Sequence, residues 1–384
     1  MKKIHIDYFF ELYEKKSIPN IFSKLSASKN QEQILNPDYD KKIVDKKDSV
    51  YSVFFIPDYF KPEIDHKVLA VKKVKQFFKG YTIFLDGFVD ADAYVKHRFR
   101  SNAKAIRRRV KRLETCFDIS YKTYYGAIEE EEYHELMDRL EEMLVKRFEE
   151  RNDVSQSLLR WDYYKDMYFS LINKKQASLF VVYHKKTPIV VSLNHHFKER
   201  LFSAISSYDI DFRKFSLGNV EILKKLDWCI QNGHKSYEMG MGDLSYKREW
   251  CNHVYNFEHQ IIYPKNSFLG VLKAMIEYIK VSFKEFVYKK TYVKYKKYKT
   301  RKKQAISNDE MFCQVSKIED LNYNDKHTVI DYNHSDYDFL RKIVFDFVYT
   351  SIEHISNVSV VEISKTEKSF LILGSSKMQK VIVS

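Results

Sequence analysis

Tyr237-Glu238-Met239-Gly240-Met241-Gly242-Asp243, followed closely by Tyr246-Lys247-Arg248-Glu249-Trp250, is the stretch on which the reading of this chain turns. Lys235–Met239 is short and apolar enough for a strand, and the Gly-x-Gly that follows lets the chain turn sharply away from its end. Upstream, residues 216–231 read as a helix capped by Ser216, with Gly233 just beyond its end. Further upstream, Ala177–Tyr183, Pro188–Phe197 and Arg200–Ser207 read as strands, the first two joined by the turn at His184–Thr187. Three strands, a crossover helix and a further strand imply an α+β (α/β) unit around a mixed sheet.

The rest of the chain is patterned around that unit. Tyr133, Leu136, Met137, Leu140, Met143, Leu144 and Phe148 recur at helical steps and predict a helix over 128–150. Its acids at 129–132 and its bases Lys146, Arg147 and Arg151 suit the two ends of a helix dipole. Helices are also expected at 8–15, 101–114, 161–173 and 266–303, and strands at 51–56, 81–85 and 117–125. Residues 335–354 predict a helix and 357–363, 368–373 and 379–383 predict strands. At 384 residues the chain is too long for one ordinary core. The expected division is 1–160, 161–303 and a small α/β appendage over 304–384.

Composition excludes several classes. Hydrophobic residues at 44% and charged residues at 31% fit a globular protein, not a disordered or collagen-like one. Four scattered Cys, none in CxxC spacing, exclude a disulfide framework and the common zinc patterns, so thiols in a reducing, cytoplasmic setting are expected. Lys2 and Lys3 are followed by no apolar core, and no run of eighteen apolar residues occurs, so neither a signal peptide nor a membrane span is expected. The net charge of +14 is concentrated in residues 96–112 and 289–303, which hold nine Lys/Arg each and no acid. Such segments favour an anionic partner. In Lys289–Lys303, Tyr292, Tyr295 and Tyr298 interleave with the cations, a pattern that suits an anionic membrane face, peripheral to the inner membrane, or RNA.

Several catalytic signatures are absent: no Gly-x-Ser-x-Gly elbow, no phosphate-cradling Gly-Lys-Ser/Thr loop and no His-Glu-x-x-His helix occurs, and no metal is expected. His195 and His196 are consecutive in a strand and so face opposite sides. The loop 209–218 brings Arg213, Lys214, a hydroxyl and a glycine to a helix N-terminus, a place suited to an anion.

The order of these elements resembles the acetyltransferase core of the GNAT superfamily. More closely, it resembles the CelD/BioF-type acetyltransferase-like domain related to Fem peptidyltransferases. The matching residues are Tyr208-Asp209, Ser216 with Gly218, Gly233, Glu238 to Gly242, and Tyr246-Lys247-x-x-Trp250. The Arg107-Arg108-Arg109 helix looks like the Arg-rich helix of that group, and the resemblance covers about 100–250. Leu217, Met239 and Glu238 stand where the group usually has Pro, an aromatic and Asp.

The resemblance implies tandem GNAT-like mixed sheets flanked by helices, the first domain degenerate. It also implies acyl transfer from acetyl-CoA or another acyl-CoA to an amine of a sugar, nucleotide-sugar or peptide intermediate. In those terms Arg213, Ser216, Gly218 and Asn219 would hold the donor diphosphate. Glu238 and Asp243 would manage the acceptor's proton, and Lys247, with Tyr246 beside it, would face the tetrahedral oxyanion. Tyr208, Asp209 and His195 are candidates for binding substrate. Two other readings are a Fem-like transferase using aminoacyl-tRNA, and a nucleic-acid or membrane-surface binder on a decayed acetyltransferase scaffold. The first usually carries a helical hairpin for which 166–250 has no room.

Overall fold

The computed structural model describes residues 2–27, 33–40, 49–304, 313–318, 328–364 and 366–383. In chain order the strands are β1 (Lys2–Asp7), β2 (Lys24–Ala27), β3 (Gln33–Leu35), β4 (Ser49–Pro57), β5 (Phe60–Glu63), β6 (Leu69–Phe84), β7 (Ile119–Tyr124), β8 (Ala177–His184), β9 (Thr187–Phe197), β10 (Arg200–Tyr208), β11 (Ser236–Met241), β12 (His253–Pro264), β13 (Cys313–Ile318), β14 (Thr328–Ile330), β15 (Ser359–Ser364), β16 (Ser369–Leu373) and β17 (Met378–Val383). The helices are α1 (Tyr8–Tyr13), α2 (Ala91–Phe99), α3 (Ala103–Cys116), α4 (Glu130–Glu149), α5 (Trp161–Asn173), α6 (Leu217–Gln231), α7 (Ser245–Trp250), α8 (Phe268–Gln304) and α9 (Asp338–Ser351). The fold class is the expected α+β one, with a large mixed sheet flanked by helices and two smaller antiparallel sheets among the described residues.

Two compact units divide the chain: residues 1–87, 194–204 and 232–302 in the first, and 88–193, 205–231 and 303–384 in the second. This differs from the expected boundaries at 160 and 303. The reason is that both units are assembled from separated segments, a pattern that local sequence signals do not report.

The first unit is built on strands in the order β1-β4-β12-β6-β11-β10. β1 runs parallel to β4, and β12 pairs antiparallel with both β4 and β6. β11 is antiparallel to β6 and parallel to β10 through Leu201↔Tyr237. Tyr8, Leu12, Phe22, Val53, Tyr255 and Ile262 are central to its core. Two of its central strands exceed the expectation. β12 was not anticipated, and β6 runs sixteen residues where only 81–85 was expected. Lys72, Lys73, Lys75 and Lys79 dilute the apolar signal of β6, whose lysine-rich stretch is held extended by its pairing with β12.

In the second unit β7 pairs antiparallel with β8, and α3, α4, α5 and α6 carry the expected apolar faces. Tyr133, Leu136, Met137, Leu140, Met143 and Leu144 of α4 are buried, as their spacing predicts. The described residues of the last eighty form an antiparallel sheet, β13-β17-β16-β15-β14, and α9. They are not a module with a core of their own. Val344, Phe345 and Val348 of α9 share one cluster with Val110 and Leu113 of α3, and with Phe212, Phe215 and Leu217 at the start of α6. Among the described residues no helix is long and apolar enough to cross a membrane.

Candidate active site

A β-bulge organises the chemistry of the first unit. The β11–β6 register slips between Glu238 and Gly240, and Gly240 takes φ +67°, a backbone state that favours glycine. A Cβ there would lie 2.9 Å from the Phe202 ring. The bulge folds the chain back so that the Gly240 N–H donates to Glu238 Oε1 over 2.8 Å. Glu238 is fully buried. The Tyr255 hydroxyl donates to its Oε1 over 2.8 Å and the Tyr59 hydroxyl to its Oε2 over 2.9 Å. Burial outweighs these three donors, and the Glu238 carboxyl is pushed up to about 7.

Lys247 lies in the same unit. Lys247 and Trp250, three apart on α7, are its two buried residues, and Trp250 is wholly enclosed. Lys247 Nζ donates to the Met241 carbonyl over 2.8 Å. Burial lowers its pKa to about 8, against the opposing pull of the Glu238 charge. A carboxyl raised and an amine lowered by burial thus share one buried neighbourhood, the kind of pairing that marks functional sites.

The other residues expected near this chemistry are placed differently. Asp243 is half-exposed, accepts from the Tyr81 hydroxyl over 2.8 Å and is ion-paired with Arg248. Its charge is therefore committed at the surface, and Glu238 is the buried acid. Tyr246 is exposed on α7, since it precedes the inward-facing Lys247 by one step. His195 is buried, 3.3 Å from Lys16 Nζ, and stacks on Phe202, while His196 meets His234 over 2.8 Å. Burial lowers Lys16 to about 7.

In the second unit, Asp209 follows β10 and is buried. Its Oδ2 accepts from Arg139 over 2.9 Å and from Arg341 of α9 over 2.6 Å. Arg341 also reaches Asp211 over 3.1 Å. Tyr208 lies under the Arg147 guanidinium, 4.6 Å from the ring centre. Arg213 is ion-paired with Glu150. Arg147, Arg151 and Arg213 line a cavity of about 300 Å³ together with Tyr208. Ser216 does not act as an extended cap. It takes φ +55°, and its carbonyl accepts from the Asn219 N–H over 2.8 Å. Gly218 faces open space, with nothing within 4 Å of a Cβ built there.

Tyr59 and Tyr255, the two phenols on Glu238, were not singled out in the sequence. Tyr59 is 179 residues from the acid and no local motif marks it. For Tyr255 a signal exists in Gly80, its partner across β6 and β12, because a Cβ at Gly80 would lie 2.0 Å from the Tyr255 ring. The second Asp209 cation, Arg341, comes from 132 residues away. Among the described residues no group of His, Cys, Asp or Glu is arranged to hold a metal.

Residues 100–248 match the family model of the acetyltransferase (GNAT) domain. Three solved structures are distantly similar. L-PGS from Bacillus licheniformis is 11% identical with TM-score 0.40, over 72% of this chain and 98% of that one. FemX is 12% identical with TM-score 0.39, over 51% of this chain and 64% of that one. A tandem GNAT protein from the clavulanic acid biosynthesis pathway is 8% identical with TM-score 0.30, over 61% and 73%. No curated protein matches. The stretch that matches the acetyltransferase (GNAT) domain model includes Glu238 and Lys247.

Proposed function

We propose that the protein is an N-acyltransferase that moves an acyl group from an acyl-CoA thioester to an amine of a sugar, nucleotide-sugar or peptide intermediate. One observation carries the reading. Inside the matched acetyltransferase segment, a buried acid poised near neutrality is held by two phenols and a backbone N–H beside a buried lysine.

The amine attacks the thioester carbonyl, a C–N bond forms, and the carbonyl oxygen gains charge. The Lys247 ammonium stabilises that oxyanion more than the neutral ground state. The amine's proton passes to Glu238 through a phenol, because the carboxylate itself is fully enclosed. Tyr59, the less buried of the two phenols, is the relay. Collapse of the intermediate breaks the C–S bond, and the departing thiolate takes up a proton. As donor-binding residues we take Arg213, Ser216, Gly218 and Asn219 of the second unit, where Arg213 lines a cavity of about 300 Å³ with Arg147, Glu150 and Arg151.

Thermal unfolding with millimolar acetyl-CoA and longer acyl-CoAs tests the donor. A rise in melting temperature that Arg213→Glu reduces supports it. The absence of any shift, together with binding of aminoacyl-tRNA, overturns it.

A further inference from the structure

Helix α8 uses one face against the sheet and leaves a second apolar face in solvent. On the inner face Ala274 and Val281 pack with Val50 and Ile261. Its two acids also turn inward. Glu277 accepts from Lys3 over 2.6 Å and from Ser52 over 3.0 Å, and Glu285 accepts from the Phe77 N–H over 2.7 Å. On the other face Leu269, Leu272, Ile276, Ile279, Phe283 and Phe286 recur at alternating steps of three and four, and Ile279 and Phe283 are 62% and 66% exposed. Lys273, Lys280, Lys284, Lys289 and Lys290 are exposed along and beyond this stripe. The outward side of the helix therefore carries large apolar side chains and cations, with no carboxylate. Side chains at 293 and 296–304, which include much of the basic segment expected at Lys289–Lys303, lie outside the described residues.

We propose that α8 is a membrane-surface helix that lies in the headgroup region of an anionic bilayer. The six apolar side chains enter the acyl boundary and the lysines meet lipid phosphates. An apolar stripe of this length on a folded surface marks an interaction site. Its charge complement selects the partner. In a pair of α8 helices, Lys273 and Lys280 would flank the seam with no acid on either helix to meet them, so a second copy is disfavoured. A surface of negative charge satisfies both halves of the face at once. This inference does not rest on the acyl-transfer reading.

The test is co-sedimentation of the full chain with vesicles of pure phosphatidylcholine, or of phosphatidylcholine with phosphatidylglycerol. Binding is expected to the anionic vesicles, weakening with salt. The pair Ile279→Asp and Phe283→Asp should lower that binding about tenfold or more with the melting temperature unchanged. A second variant, Lys273→Gln with Lys280→Gln and Lys284→Gln, should remove the preference for phosphatidylglycerol and flatten the salt dependence. Failure to bind anionic vesicles overturns the proposal. So does binding that both variants leave intact, a dimer in solution that Ile279→Asp dissolves without vesicle binding, or binding of RNA alone.

Discussion

Tyr255 stands opposite Gly80 across the β6–β12 pairing, and its ring fills the space that a side chain at Gly80 would need. That vacancy is what lets the phenol lie in the sheet core and reach Glu238. Gly80→Ala forces the ring aside, so the change acts on Glu238 through its donor. We expect a loss of about 1–3 kcal/mol in urea unfolding, the usual cost of overpacking a core. Tyr255→Phe should leave packing near normal while removing one donor from Glu238. Unchanged stability in Gly80→Ala would contradict the placement of the ring.

The pH dependence of turnover follows from the Glu238–Lys247 neighbourhood. Glu238 must be ionised to take a proton and Lys247 protonated to face an oxyanion. With the acid at about 7 and the amine at about 8, kcat/KM should rise through the first value and fall through the second. Glu238→Gln should abolish the rising limb. A flat profile from about pH 6 to 9, roughly one unit on either side of these values, would count against the pair.

Stability should carry the same signature. The folded pKa of Glu238 is raised from 4.5, so its contribution is fully present below about 4.5 and is lost as pH rises through about 7. Lys247 is lowered from 10.5, so its contribution is present above that value and is lost as pH falls through about 8. Melting temperature against pH should slope downward between 4.5 and 7 in the wild type, and more gently in Glu238→Gln.

Lys247→Met tests the oxyanion role. Loss of one such donor should cut kcat by about 10²–10³-fold with donor binding near normal. Lys247→Arg should recover only part, because a planar fork replaces a point charge. A folded Lys247→Met protein with near-wild-type kcat would remove Lys247 from the mechanism.

Asp209 joins α4 to α9 through Arg139 and Arg341. Asp209→Asn leaves two guanidiniums without their shared anion. Both are partly solvated, so the cost should fall at the lower end of the roughly 3–5 kcal/mol seen for broken buried pairs. Guanidinium unfolding measures it. An effect within error would show that the clamp adds nothing to the docking of α9.

Local signals in the sequence determined the helices from α3 to α6 and most strands of the acetyltransferase segment. Apolar periodicity, end charges and glycines at turns act within a few residues, so residues 128–150, 161–173 and 216–231 were readable as helices. The same stretch supplied Glu238 and Lys247, because the Gly-x-Gly bulge and the buried Trp250 that position them are close in sequence. Only the tertiary structure decided which acid is buried. Asp243 and Glu238 are equivalent on paper, but the register slip at Gly240 turns one inward and leaves the other at the surface with Arg248. It alone brought Tyr59 to the acid across 179 residues and Arg341 to Asp209 across 132. It also extended β6 through a lysine-rich run, where pairing with β12 overrides a weak local preference, and merged α9 and strands β14 to β17 into the core beside α3 and α6. Contacts of that range depend on which strands and helices meet, and residue spacing along the chain carries no record of it.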